Sequence, residues 1–257
     1  MPPPHLIRAV ALDLWGTLIA DAPGGGRRRM QRRERMLRTA YEQAGAGDAA
    51  AEAVPVAIRD AIQELVAAHQ SNVDLSGEDR INAVRRSMLR QCPNTVESPE
   101  LLTVLAEAIG ESASWEPPEI IGGVEAELDC LKQHGLRLAV VSNTGLAPGR
   151  RVEAALVARG FDRWIDHWIW SDEVLSWKPG QAIFTAALDA LDVTAEQAAF
   201  VGDTPEADIL GARHADFAAS VQVGGKRDPS ILPDIHLPSL AGLSGALQDA
   251  GLLHPDP

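Results

Sequence analysis

The sequence predicts an α/β protein with a parallel sheet that is covered by helices on both faces. From residue 119 onward, short apolar strands alternate with helices of about 10 to 15 residues, the pattern of a parallel sheet. An earlier apolar strand, residues 6–12, fits the same sheet, whereas residues 27–116 show only helical patterns. We therefore predict an α/β core of residues 1–20 and 119–257, with an all-helical insertion of residues 21–118.

The first strand ends in the stretch Asp13-Leu14-Trp15-Gly16-Thr17. In an open α/β sheet, functional groups lie just beyond the carboxyl ends of the strands. Asp13 is therefore placed where a nucleophile or a metal ligand is expected. The alternative is an aspartate that only caps the following turn.

Pro23 and the glycines at 24–26 break regular structure and start the insertion. Ser76, with Asp79 three residues later, predicts a helix start, and Ser98-Pro99 predicts another. Apolar residues recur at helical spacing after each of these signals.

The core resumes after Pro117-Pro118 with a short amphipathic helix that ends at His134-Gly135. The later predicted strands are 136–141, 167–170, 198–201, 218–223 and a weak one at 235–237. Helices are predicted between them at 149–160 and about 206–215, and a further helix that Pro179 introduces carries Ile183, Ala187, Leu188 and Leu191. A last helix follows residue 237.

The amino-acid composition and net charge argue against several classes of function. A net charge of −13 argues against a general nucleic-acid or acidic-membrane binder. No apolar run approaches the roughly 20 residues that cross a bilayer, and the N-terminal residues do not resemble a signal peptide. The two cysteines, Cys92 and Cys130, indicate a reducing compartment without a disulfide framework. We expect a cytoplasmic protein.

Several polar residues are predicted to gather at the carboxyl edge of the sheet: Asp13, Ser142, Asn143, Lys178, Asp203 and Asp208. Each alone has a structural explanation, such as a turn cap, an exposed loop lysine or an acid in the first turn of a helix. Together, the carboxylates would bind a hard cation such as Mg²⁺. The lysine, the serine hydroxyl and backbone N–H groups would hold the other oxygens of a phosphate ester, and a carboxylate can attack phosphorus.

These motifs resemble those of the haloacid dehalogenase-like (HAD) superfamily, in its subgroup with a helical (C1-type) cap. The motifs occur in the family's order, as Asp13-Leu14-Trp15-Gly16-Thr17-Leu18, Ser142-Asn143, Lys178-Pro179 and Gly202-Asp203-Thr204-Pro205-Glu206-Ala207-Asp208. The resemblance covers residues 6–20 and about 119–223. It implies a Rossmann-like three-layer core with a mobile helical cap that selects a small anionic substrate.

The resemblance also implies roles for individual residues. Asp13 would be the nucleophile, with Ser142 and Lys178 as catalytic groups that bind the phosphate or the leaving group. Mg²⁺ would be held by Asp13, Asp203 and the backbone carbonyl of Trp15, with Asp208 either as a further ligand or as a residue that supports the ligands. Substrate contacts would come from Trp15, Gly16, Thr17 and Asn143.

Trp15 departs from the family's phosphatase pattern. Phosphatases of this family usually have a second aspartate at this position, and such acid–base help is typically worth about 10²- to 10⁴-fold. An aromatic residue here resembles the dehalogenase branch, which attacks carbon without a metal, but the two acids of the fourth motif resemble a phosphatase. We predict a Mg²⁺-dependent phosphatase of a small phosphorylated metabolite that works through an aspartyl-phosphate. The alternatives are a 2-haloacid dehalogenase-type hydrolase and a catalytically weak or non-enzymatic binding protein.

Other groups are candidates to replace the missing acid, among them Asp21, His69 and the arginines of the insertion. Seven arginines between Arg27 and Arg38 predict a solvated helix, with a grip on an anionic substrate as the alternative. The tryptophans at 164, 168 and 170 predict packing in the core or at the sheet edge, with a homodimer surface as the alternative.

Overall fold

The computed structural model describes residues 6–110 and 112–254. The ends of the predicted core, residues 1–5 and 255–257, therefore lie outside the described residues. The chain forms two compact units. One draws on the chain up to Ala20, Glu119–Asn143 and the chain from Leu156 onward, and the other on Asp21–Pro118 and Thr144–Ala155.

Six strands of the described chain form one parallel sheet in the first unit, which confirms the predicted fold class. A short antiparallel pair, β2 and β3, lies beside it as a separate sheet. In chain order the strands are β1 Ala9–Leu12, β2 Ile19–Ala20, β3 Glu119–Ile120, β4 Arg137–Ser142, β5 His167–Trp170, β6 Ala198–Gly202, β7 Ala219–Val223 and β8 Ile235–Leu237.

Strand β1 lies at the centre of the sheet, whose order is β5-β4-β1-β6-β7-β8. Leu12 aligns with Val140 on one side and with Val201 on the other. All four residues of β1 are fully buried, because both faces of a parallel sheet are covered. The residues that follow β1, β4 and β6 therefore meet at one edge, next to each other.

The helices, in chain order, are α1 Gly25–Tyr41, α2 Ala50–His69, α3 Gly77–Gln91, α4 Pro99–Gly110, α5 Ser112–Trp115, α6 Val124–Gln133, α7 Gly149–Val157, α8 Ser171–Val174, α9 Gln181–Leu191, α10 Gly211–His214 and α11 Leu243–Asp249. The predicted helix at 206–215 is in fact two pieces, since a wide helical turn over Pro205–Leu210 precedes α10.

The β2–β3 pair was not predicted from the sequence. It joins Ile19 to Ile120 and Ala20 to Glu119, on either side of the helical stretch. Two-residue strands show no alternation of polar and apolar residues, so the sequence carries no signal for them.

The helical unit has its own apolar core, built from α1 to α4. Leu37, Val84 and Leu105 are fully buried in this core, and Leu146 joins them from the segment 144–155. From the sequence alone, this segment is expected in the α/β core. Its burial against the helices explains why it belongs to the helical unit.

Ser76 and Ser98 cap their helices as predicted: Ser76 Oγ accepts from the N–H of Asp79 at 3.1 Å, and Ser98 Oγ accepts from that of Leu101 at 3.2 Å. Within the described residues, no helix is both long enough and apolar enough to span a bilayer.

Candidate active site

A buried lysine joins two carboxylates at the carboxyl edge of the sheet. Lys178 Nζ donates to Asp13 Oδ1 at 2.6 Å, to Asp208 Oδ1 at 2.7 Å and to the carbonyl of Val141 at 2.9 Å. Only 1% of Lys178 is exposed. Three residues far apart in the sequence thus meet where the strand ends predict it.

Asn143 holds the backbone of Lys178. Its Oδ1 accepts from the Lys178 N–H at 2.8 Å, and its Nδ2 donates to the Lys178 carbonyl at 3.2 Å. The sequence predicts a substrate contact for Asn143, whereas in the structure its amide group orients Lys178. The substrate contact stays a prediction.

Three carboxylates form the acidic part of the site. Oxygens of Asp13, Asp203 and Asp208 all lie within 4.8 Å of one another. Asp208 Oδ2 also accepts from the Thr204 N–H at 2.9 Å, which fixes its orientation. Oxygen donors alone are the ligand set that Mg²⁺ prefers.

Gly16 allows the first motif to approach these acids. Its φ is +84°, and a Cβ at this position would lie 2.5 Å from Asp203 Oδ2. A side chain is therefore excluded by both backbone conformation and space.

Electrostatics favours a cation beside these residues. Burial raises the pKa of Asp13 to about 7; Asp208 and Asp203 add to this shift, and Lys178 opposes it. Burial and the nearby Asp208 also raise the pKa of Asp203. Burial disfavours the charge on Lys178, but the carboxylates of Asp13 and Asp208 outweigh it and raise the lysine pKa. One ammonium group faces three carboxylates, so a divalent cation fits the remaining negative charge.

Two predicted hydroxyls lie buried near the ends of β1 and β4. Ser142 Oγ donates to the carbonyl of Asn143 at 3.2 Å. Thr17 Oγ1 is buried without a hydrogen-bond partner among the described residues. An unpaired buried hydroxyl typically costs about 1–3 kcal/mol, so a ligand or water at this position would relieve a real cost. Trp15, whose carbonyl was assigned to the metal, is half-buried.

Two of the proposed replacement acids are held by charged partners in the helical unit. Asp21 Oδ1 accepts from Arg29 at 2.5 Å. His69 Nε2 lies 3.0 Å from Asp74 Oδ1, and burial lowers the pKa of His69 although Asp74 opposes the shift.

The arginines of α1 have several different environments. Arg33 is buried and donates to the carbonyls of Ala108 at 2.9 Å and Ile109 at 3.4 Å, so it caps the end of α4. The solvated-face interpretation is therefore wrong for Arg33, whereas Arg27, Arg28 and Arg35 are exposed. Contact with a substrate stays a prediction.

The tryptophans of the first unit pack as predicted. Trp164 and Trp170 are buried, and the half-buried Trp168 stacks on Trp170 with ring centroids 5.8 Å apart. A homodimer surface stays a prediction.

The residues that support the backbone of Asp203 were not predicted from the sequence. Gln222 Nε2 lies 3.4 Å from the Asp203 carbonyl, and a Cβ at Gly225 would lie 2.2 Å from the same oxygen. The glycine pair 224–225 directly after a predicted strand was the available signal for a close backbone approach.

Comparison with known proteins supports one family. A family model described as haloacid dehalogenase-like hydrolase matches residues 7–216. A phosphoserine phosphatase of Thermus thermophilus is 35% identical over 147 residues, which are 56% of this chain and 56% of that protein. A haloacid dehalogenase-like hydrolase domain-containing protein 3 of Bos taurus is 34% identical over 141 residues, 52% of this chain and 53% of that protein. The matches thus span about half the length of these curated relatives.

Among solved structures, a 2-haloacid dehalogenase from Pseudomonas syringae superimposes with a TM-score of 0.71 at 24% identity. The match covers 95% of this chain and 100% of that one. At this identity the likeness demonstrates a shared fold.

Proposed function

The chain belongs to the haloacid dehalogenase-like hydrolase family, and we propose that it is a Mg²⁺-dependent phosphatase of a small phosphorylated metabolite. The observation that carries the proposal is the approach of the Asp203 and Asp208 carboxylates to Asp13, all within 4.8 Å. Two further acids beside the nucleophile are hard to explain in a hydrolase that attacks carbon without a metal. Burial, with a smaller contribution from the two neighbouring acids, raises the pKa of Asp13, and a bound cation would offset this cost of ionising it.

Mg²⁺ would be held by Asp13, Asp203, Asp208 and the carbonyl of Trp15. When bound, it would offset the negative charge of the phosphate group. Lys178 supplies the other positive charge, and its contact with Asp13 orients the attacking carboxylate and opposes the rise in its pKa that burial causes.

The proposed reaction has two steps at phosphorus. An oxygen of Asp13 forms a bond to phosphorus while the bond to the alcohol oxygen breaks, and that oxygen leaves with the electron pair. Water then attacks phosphorus as the bond between phosphorus and the Asp13 oxygen breaks; that oxygen keeps the electron pair, which restores the carboxylate, and the water gives up a proton to solvent as inorganic phosphate is released. Ser142 and the N–H group of Thr17 would bind the phosphate oxygens, since the N–H of Gly16 already donates to the carbonyl of Ile19 at 2.8 Å.

Trp15 determines how the leaving group is handled. An indole neither donates a proton to an alkoxide nor activates water as a carboxyl group does. The departing oxygen would therefore take its proton from solvent. This favours substrates whose leaving group is stable as an anion.

Residues 21–118 and 144–155 form the unit that we propose as the substrate-selecting cap. The second candidate function is a 2-haloacid dehalogenase, because an aromatic residue at position 15 resembles that branch. It would release halide in the presence of a chelator.

The direct test is phosphate release from a panel of phosphate esters, with Mg²⁺ and with EDTA. Asp13→Asn is compared with wild type and with Asp189→Asn, a matched change at an exposed aspartate of α9. The proposal predicts metal-dependent release that Asp13→Asn abolishes and Asp189→Asn retains. Chelator-resistant halide release from 2-haloacids, without phosphate release, would instead establish the dehalogenase. Release of neither product would contradict both.

A further inference from the structure

A buried ion pair lies inside the helical unit, between α3 and the loop that precedes it. Arg80 Nη2 lies 2.7 Å from Asp74 Oδ2, and neither side chain is exposed. Asp74 Oδ1 also accepts from the Leu75 N–H at 2.7 Å and lies 3.0 Å from His69 Nε2. The carboxylate is therefore held from several sides and orients the arginine.

Arg80 makes its other hydrogen bonds to one short irregular stretch of chain. It donates to the carbonyl of Gly145, to the carbonyl of Ala147 at 3.4 Å and to Thr144 Oγ1 at 2.9 Å. These residues lie in no helix or strand. In a helix or strand, backbone N–H groups would donate to these carbonyls. Here the Arg80 side chain is the donor, and its hydrogen bonds hold the backbone in place.

Stability alone does not account for this arrangement. Burying an ion pair carries a desolvation penalty, and apolar residues of similar volume often serve stability equally well. Arg80 Nε is also buried without a hydrogen-bond partner among the described residues, a further cost. What the pair does supply is a single defined conformation for residues 144–147.

That conformation matters because Thr144 is bonded directly to Asn143. The Asn143 amide holds the backbone of Lys178 through contacts of 2.8 and 3.2 Å. Lys178 Nζ in turn contacts Asp13 and Asp208. A shift of Thr144 would therefore move Asn143 and, with it, the ammonium group.

We propose that Arg80, oriented by Asp74, is a positioning residue for Lys178. It acts by fixing residues 144–147 and hence Asn143. The positional effect stands on these contacts alone, whereas its catalytic consequence rests on the proposed phosphatase function.

The test measures the NMR signal of the Lys178 side chain. The chain has only three lysines, Lys132, Lys178 and Lys226, so protein labelled with [¹³Cε]lysine gives a simple NMR spectrum. Lys178→Arg assigns the signal of interest. Arg80→Met is compared with Arg86→Met, a change on the same helix at an exposed ion pair with Glu64.

We expect Arg80→Met to move the Lys178 signal and leave those of Lys132 and Lys226 in place, and Arg86→Met to move none. With an aryl phosphate and Mg²⁺, Arg80→Met should lower kcat about 10- to 100-fold, as a small misplacement of a catalytic group does, with little change in KM. A purely structural role would lower Tm without moving the Lys178 signal or kcat.

An unchanged Lys178 signal in folded Arg80→Met would overturn the proposal. If Arg80→Met does not fold, Thr144→Val removes the hydrogen bonds of Thr144 Oγ1 with Arg80 and Asp74 from the same network and is judged by the same signal. If wild type releases no phosphate, the proposed function fails, but the lysine signal still decides whether Arg80 positions Lys178.

Discussion

Lys178 Nζ lies 2.6 Å from Asp13 Oδ1, and both residues are almost completely buried. The same ammonium group contacts Asp208 at 2.7 Å. Lys178 is therefore the positive charge that allows two carboxylates to share this edge of the sheet.

Removing this charge should lower the stability of the folded protein. Lys178→Met leaves Asp13 and Asp208 buried without their cation, so we expect the free energy of unfolding of the metal-free protein to fall by about 3–5 kcal/mol. Lys226→Met removes an exposed lysine and should change it by less than about 0.5 kcal/mol. Urea unfolding at neutral pH measures the free energy of unfolding of both variants. Equal losses in the two variants would show that Lys178 does not compensate the negative charges of Asp13 and Asp208.

Gly225 should control metal affinity through Asp203. Gly225→Ala would put a Cβ 2.2 Å from the Asp203 carbonyl and displace that residue. We expect Mg²⁺ binding to weaken by about 10- to 100-fold, the usual effect of disturbing a group that supports a metal ligand.

Gly224→Ala is the matched control for Gly225→Ala. Both glycines have positive φ, but a Cβ at Gly224 would meet only the Pro238 carbonyl, at 3.4 Å. Isothermal titration calorimetry should therefore find Mg²⁺ affinity near wild type in Gly224→Ala. Equal losses in the two variants would attribute the effect to backbone strain alone.

Much of this site could be predicted from the sequence. Apolar runs that end in Asp13, Ser142 and Asp203 gave both the strands and the edge where these residues meet. The two-residue strands β2 and β3 and the packing of Leu146 in the helical unit could not be predicted, because both depend on tertiary contacts without local periodicity. The support of Asp203 by Gln222 was missed for the same reason, since a buried glutamine in a strand gives no sign of its partner.

Trp15 should make the rate depend steeply on the leaving group. Wild type is expected to favour aryl phosphates over alkyl phosphates, because the departing oxygen receives no proton from the protein. Trp15→Asp should raise kcat on alkyl phosphates by about 10²- to 10⁴-fold and reduce the dependence on leaving-group pKa.

Trp15→Asn controls for the change in volume, since it loses the indole without gaining an acid. If Trp15→Asn gains as much activity as Trp15→Asp, the effect comes from space and not from proton transfer.

Arg33 should stabilise the helical unit through the end of α4. Arg33→Met leaves the buried carbonyls of Ala108 and Ile109 without this donor, and we expect the loss of about 1–3 kcal/mol that unpaired buried groups cause. Arg35→Met changes an exposed arginine of the same helix and should be nearly neutral. Thermal unfolding that ranks Arg35→Met as the more damaging change would refute this role.

The central claim is that Asp13 attacks phosphorus, and the most direct measurement is chemical quenching during turnover of an aryl phosphate with Mg²⁺. Mass spectrometry of the peptide that contains Asp13 should detect the added mass of one phosphoryl group in wild type and none in Asp13→Asn or in the presence of EDTA. Single turnover in H₂¹⁸O supplies the second readout, with the label expected in the released phosphate. Label in the Asp13 carboxylate, with no phosphorylated peptide, would contradict the account, because it would place the attack of water on the carboxyl carbon of Asp13 and not on phosphorus.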